Sequence, residues 1–199
     1  MAIAPNPTQS RLSAQRIRLI EADQANSKLT IRFATREDAA LLARVGAQTF
    51  ADTFAADNTP DDMAAYLAES FNPAKQATEL ADPNVIFLIA EIAGKVAGFA
   101  QLHANVRSTD VGGDKPIELA RIYTTQEWIG RGVGAALMQA SIAEARTRGH
   151  DVIWLGVWER NARAQAFYRK WGFAQVGTHT FQLGSDPQTD WVMARRVVE

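Results

Sequence analysis

A glycine turn between a strand and a long helix constrains this chain more than any other feature. Gly130-Arg131-Gly132-Val133-Gly134-Ala135 follows the apolar run IELARIYTT (Ile117 to Thr125) and opens GRGVGAALMQASIAEARTRG, a helix that stops at Gly149. Such a turn leaves several free backbone N–H groups at a helix N-terminus, where the dipole favours anions. The glycines let a bulky phosphate approach without a Cβ clash, and Arg131 adds a positive charge. A diphosphate is the natural guest.

Three kinds of phosphate site compete for this segment. A P-loop needs Lys and then Ser or Thr after its last glycine, but Ala135 and Ala136 stand there. A dinucleotide fold needs G-x-G-x-x-G directly after a buried strand, with an acid about 20 residues on. Here Thr125 to Ile129 separate strand from glycines, and Glu159 arrives late. The third candidate is the pyrophosphate of coenzyme A, and a turn that binds nothing is the plain structural reading.

The rest of the chain supplies a frame of alternating strands and helices. LTIRFAT alternates Leu29, Ile31 and Phe33 against Thr30 and Arg32, as a strand does. Thr35 with Asp38 resembles a capping box, and the helix beyond carries Leu41, Leu42, Val45 and Phe50. A second helix starts at Thr59-Pro60 and ends near Ser70, and a short third follows Asn72-Pro73. NVIFLIAEIAGKVAGFAQLHA reads as a hairpin turning at Ala93-Gly94-Lys95, and residues Asn105 to Pro116 read as a loop. DVIWLGVWE is apolar on both faces and is predicted as a central strand. NARAQAFYRKWG is a helix capped by Asn161 and closed by Gly172; FAQVGTHTFQL and DWVMARRV are two final strands. The expected class is α/β (α+β), a mixed sheet with helices on its faces.

Composition narrows the function. Of 199 residues 47% are apolar, enough for a sizeable core in one domain, expected over residues 29–199. Residues 1–28 read as a polar, partly disordered extension, with Arg11, Arg16 and Arg18 giving a faint likeness to a transit peptide. The net charge of -1 offers nothing to nucleic acid, and no apolar run approaches the roughly 20 residues of a membrane span. The absence of cysteine excludes disulfides and a thiol nucleophile and fits a cytoplasmic protein. His103, His150 and His179 lack metal-ligand spacing, so no metal is expected.

The helix after the central strand carries a second pattern. Asn161, Ala164, Phe167, Tyr168, Gly172 and Phe173 fit N-x-x-A-x-x-F-Y-x-x-x-G-F, and Asn161 and Tyr168, about two helical turns apart, share a face. Together with Gly132 and Gly134 in a Q/R-x-x-G-x-G/A loop, this resembles the GNAT N-acetyltransferase superfamily, over roughly Leu29 to Val197. Ile129 stands where that loop usually has Gln or Arg. The stretch from IELARIYTTQEW to GTHTFQLGSD is also similar to a bacterial branch that includes polyamine N-acetyltransferases.

The resemblance implies a mostly antiparallel sheet of about six to seven strands whose two central strands splay around the pantetheine arm of acetyl-CoA. Arg121, Ile122, Tyr123 and Thr124 would offer backbone groups to that arm. Gly130, Arg131, Gly132, Val133, Gly134 and Ala135 would hold the pyrophosphate, and Asn161 would hydrogen-bond the cofactor. An amine would attack the thioester directly, without a covalent enzyme intermediate. Tyr168 is the candidate acid for the thiolate, since a phenol can give up a proton to it. Glu118 and Glu159 are the candidates for base, Glu118 being taken first and read as lying on the strand face opposite Leu119, Arg121 and Tyr123.

For the acceptor, Asp52, Asp57, Asp61 and Asp62 with Phe50 and Phe54 suit a small amine or diamine, a polyamine among them, although the same acids also read as a solvated helix face. Another amine or a protein N-terminus is the alternative acceptor. Outside this chemistry stand an NAD(P)-dependent oxidoreductase and a non-catalytic acyl-CoA-binding module. Apolar residues near the late strands could serve a homodimer.

Overall fold

Alternation at the start of the folded chain produces β1 (Leu29–Phe33), with Leu29 and Ile31 buried. The computed structural model describes residues 28–197, so the expected polar extension, apart from Lys28, lies outside the described residues. Asp38 secures the start of the next element. Its carboxylate accepts from the Thr35 N–H at 2.7 Å and takes both arms of the Arg32 guanidinium at 2.8 Å. Arg32 also donates to Glu91 at 2.9 Å, and its hydrogen bonds hold the Asp38 carboxyl below the usual range. One 3₁₀ turn (Arg36–Asp38) then leads into α1 (Ala39–Phe54).

Two proline-started helices follow, α2 (Pro60–Ser70) and α3 (Pro73–Ala81). Thr59 caps the first, accepting from the Asp62 N–H at 3.2 Å, and Asn72 caps the second, accepting from the Lys75 N–H at 2.8 Å. Each cap is worth about 1 kcal/mol. The hairpin of β2 (Val85–Ile92) and β3 (Lys95–His103) turns on two residues, not three. Ala93 and Gly94 both have positive φ (51° and 75°), as a two-residue type I′ turn requires, and Lys95 already pairs with Ile92.

Then come β4 (Pro116–Thr124), a 3₁₀ turn (Gln126–Trp128), α4 (Val133–Thr147), β5 (Val152–Trp158), α5 (Ala162–Lys170), β6 (Ala174–Leu183) and β7 (Asp186–Arg196). The seven strands form one sheet in the order β1-β2-β3-β4-β5-β7-β6. Its pairs are antiparallel except β4 with β5, joined by a crossover through α4. That topology is not the doubly wound parallel sheet that a dinucleotide fold requires. One face packs Leu119, Ile153 and Leu155 against Leu137 and Met138 of α4 and Tyr168 of α5. The other packs Phe87, Ile89 and Phe99 against Leu42, Phe50 and Met63 of α1 and α2. Among the described residues no helix is long and apolar enough to cross a membrane.

The centre of the sheet is interrupted. Gln101 opposes Arg121 while Leu102 opposes Leu119, so Ala120 is an extra residue that bulges β4. The β4–β5 ladder holds only at Pro116, Ile117 and Glu118 against Val152, Ile153 and Trp154. Beyond that point the strands part. The bulge also corrects the facing of Glu118. Strict alternation sets Glu118 opposite Arg121 and Tyr123, but the extra residue inverts the phase. Glu118 approaches His103, Arg121 bonds Gln101, and Gln101 bonds His103, so these side chains share one face, with Tyr123 packed nearby against Phe99. Leu119 turns to the other.

Gly98 closes the fit behind the parted strands. A Cβ there would run into the Tyr123 carbonyl and lie 3.1 Å from the Thr124 Cα. Backbone cannot retreat as a side chain can. Gly98→Ala is expected to destabilise the fold by about 1–3 kcal/mol, read as a lower urea midpoint at unchanged slope. A midpoint equal to wild type would mean that β3 and β4 are not held this closely.

Candidate active site

The parted strands open a cavity of about 530 Å³. Leu119 to Thr124 of β4 line one side, and Gly156 to Trp158 of β5 line the other. The edges that face each other have left their ladder at Glu118 and Trp154, so their N–H and C=O groups are free for a guest. Ile122, Tyr123 and Thr124 therefore stand where an extended amide-bearing chain would find them.

One end of the cavity is the N-terminus of α4. Gly130, Gly132, Gly134 and Ala135 line it. Gly130 and Gly132 have φ of 79° and 87°, a conformation costly to residues with a Cβ. A Cβ on Gly130 would meet nothing within 4 Å, so open space lies in front of it. The first N–H groups of α4 have no partner within the helix and carry the positive end of its dipole. This cradle fits a diphosphate. Val133 is off the lining, its side chain fully buried in the core. Arg131 is exposed and lies over the Trp128 ring at 5.3 Å, outside the cavity lining. Ile129 lines the mouth with 40% of its surface exposed.

The start of α5 forms the adjoining wall. Asn161 Oδ1 accepts from the Ala164 N–H at 3.0 Å, which leaves its amide N–H₂ as a donor at the cavity. Tyr168, two turns on, is buried against Phe167 and Phe173 and lines the same space. Burial, aided by the Asp190 charge, pushes its phenol well above the usual range, so it stays protonated. Burial does the same to Tyr123. Arg163, on the first turn of α5, is an exposed cation on the lining that sequence reasoning missed.

The opposite end is aromatic. Phe50 stacks on Tyr66 at 4.5 Å and lies 4.6 Å from Phe54, and Phe181 meets Tyr66 at 5.4 Å. Phe50, Phe54, Tyr66, Trp158 and Phe181 all line the cavity. The acids expected beside them do not. Asp52 accepts from Gln48 on an exposed helix face, and Asp62 anchors the β6–β7 turn through Ser185. Asp57 and Asp61 are exposed and off the lining. The one carboxylate on the cavity wall, among the described residues, is Asp190 of β7, which the sequence did not single out.

Neither glutamate proposed as base lines the cavity. Glu118 lies 3.5 Å from His103, and Glu159 is exposed beyond the end of β5. Arg121 turns its guanidinium away, 4.7 Å above the Phe71 ring and bonded to Gln101 at 2.6 Å. The His150 ring nitrogen meets the Lys115 carbonyl at 3.0 Å, and burial lowers its pKa. Among the described residues no three histidine, aspartate or glutamate side chains are placed to share a metal ion.

Known proteins resemble this chain in sequence and in fold. A family model, the acetyltransferase (GNAT) family, matches residues 48–173. An uncharacterized N-acetyltransferase of Lactobacillus delbrueckii subsp. lactis is 35% identical over 154 residues, 77% of this chain and 89% of the relative. Another, of Mycobacterium tuberculosis, is 37% identical over 161 residues, 81% of this chain and 99% of the relative. The PaiA N-acetyltransferase of Thermoplasma acidophilum, solved in complex with coenzyme A, superposes with a TM-score of 0.70 at 22% identity, covering 84% of this chain and 98% of that one. YncA of Salmonella typhimurium, solved with its cofactor acetyl-CoA, gives 0.61 at 23% identity over 88% and 96% of the two chains. With the model spanning more than half its length and these relatives matched nearly end to end, the chain belongs to the acetyltransferase (GNAT) family.

Proposed function

We propose that this acetyltransferase, whose acyl donor is acetyl-CoA, delivers the acetyl group to the primary amine of a small molecule that enters from the aromatic end of the cavity. The observation that carries the reading is the parting of β4 and β5 beside the N-terminus of α4, with Tyr168 in the wall. The cradle at Gly130 to Ala135 receives the pyrophosphate. The free edge of Ile122 to Thr124 receives the pantetheine amides. Asn161 donates to the cofactor through its amide while its oxygen caps α5.

The chemistry then needs little from the protein beyond placement. Attack of a neutral amine on the thioester carbon forms the C–N bond and breaks the C–S bond. Holding both reactants in one cavity supplies most of the rate through orientation. Tyr168 protonates the departing thiolate from its place in the wall, where its phenol carries its proton at neutral pH. The aromatic rings at the other end bind the body of the acceptor, and a single carboxylate there suits one ammonium group. A monoamine with an apolar or aromatic body matches this lining better than a polyamine does. Polyamine acetylation is the competing reading, and it rests on the sequence likeness to that branch.

Two measurements test these statements. Tyr168→Phe is expected to lower kcat by about 10²-fold or more, with the KM for acetyl-CoA little changed. Unchanged turnover would take Tyr168 out of the reaction. In a panel followed by coenzyme A release, arylalkyl monoamines are expected to give a higher kcat/KM than spermidine or spermine. The reverse order would restore the polyamine reading.

A further inference from the structure

Gly156 sits in the middle of an otherwise apolar strand, where glycine costs both entropy and packing. Its purpose is room. A Cβ there would lie 3.0 Å from the His179 ring and 3.1 Å from Asp190 Oδ2. The glycine thus lets an aspartate of β7 and a histidine of β6 close over β5 beside the cavity. The two residues are opposed in the β6–β7 ladder, with His179 Nε2 3.7 Å from Asp190 Oδ2, in ion-pair range.

The two differ in what they face. Asp190 lines the cavity and its side chain is 12% exposed. His179 is off the lining and its side chain is 37% exposed. One group of the pair therefore meets the acceptor and the other meets solvent. Two more carboxylates attend the histidine. Asp110, on the loop before β4, occupies the space above Gly177, and Glu118 of β4 shares its field. A buried ammonium without a partner is costly, so the acceptor needs an anion at this end of the cavity. Asp190 is the acid there.

We propose that Asp190 receives the acceptor ammonium and that His179 behind it relays the ammonium proton to solvent. This rests on the amine acetylation argued above and supplies the base that neither Glu118 nor Glu159 provides from its position. An ammonium loses two protons in becoming an amide. The first passes from nitrogen to the Asp190 carboxylate and on to the neutral His179 ring, whose other nitrogen releases it to water. The freed lone pair then forms the C–N bond as the C–S bond breaks. The second proton leaves by the same path, while Tyr168 gives the thiolate its proton and regains one from solvent. One proton is released in net.

The relay has a pH signature. Asp190 beside it, opposed by burial and helped by Glu118 and Asp110, holds His179 above the usual histidine range. Below that raised value the ring is already protonated and cannot accept. Activity that depends on His179 is therefore present at higher pH and is lost as pH falls through the raised value. Glu118 and Asp110 act as positioning residues, through His179.

The test is kcat/KM for one monoamine from about pH 5 to 9 in wild type, His179→Gln and Asp110→Asn. A thermal shift with acetyl-CoA verifies that each variant is folded and binds the donor. Protonation of the amine itself affects all three alike and cancels in ratios. The ratio of wild type to His179→Gln is expected to rise from near unity at low pH to about 10²-fold at high pH. Asp110→Asn is expected to move the midpoint of that rise to lower pH. A ratio that does not change with pH, or an unmoved midpoint, in an active enzyme overturns the relay alone. Absence of acetyl transfer to any amine in wild type overturns the amine reading and the relay with it.

Discussion

Two parallel strands that share only three ladder pairs are the constraint on which this molecule turns. From Leu119 onward β4 loses β5 as a partner, and backbone groups in a protein interior must be satisfied by something. The bulge at Ala120 lies where the strands part, and Gly98 lets β3 stay close behind β4 there. α4, which must cross from β4 to β5, then starts at the open end of the gap. A slot with free amide groups on its sides and a helix dipole at one end follows from these connections alone.

The division of labour along the cavity has the same origin. Each face of the sheet carries its own core, one built with α4 and α5, the other with α1 and α2. The gap joins them. Glycines and Asn161 come from the first side, and the rings of Phe50, Phe54 and Tyr66 come from the second. Tyr168 stands on the first side, where burial keeps its phenol protonated. Asp190 reaches the cavity, with His179 behind it, because Gly156 has no side chain to block them.

Much of this was legible in the sequence because its signals are local. Thr59-Pro60 and Asn72-Pro73 name two helix starts to the residue, and Asn161 caps α5 as its position suggests. The glycine turn and the N-x-x-A-x-x-F-Y helix marked two of the elements that line the cavity. What was not legible depends on long-range pairing. One extra residue at Ala120 inverts the facing of everything beyond it, and alternation counted along a strand cannot detect a bulge set by its neighbour. Asp190 and His179 lie eleven residues apart on the two arms of a hairpin, and only the β6–β7 register opposes them. Of the two readings of the acids near Phe50 and Phe54, the exposed helix face is the one that fits, since closeness in sequence does not bring Asp52 or Asp62 to the cavity.

The most direct measurement is backbone amide hydrogen exchange with and without saturating acetyl-CoA. Slower exchange concentrated in Ile122 to Thr124 and Gly130 to Ala135 is the expected result, because these N–H groups would leave water for the cofactor. Binding of acetyl-CoA with exchange in both segments unchanged, or with protection confined elsewhere, would contradict the assignment of the gap between β4 and β5 as the donor site.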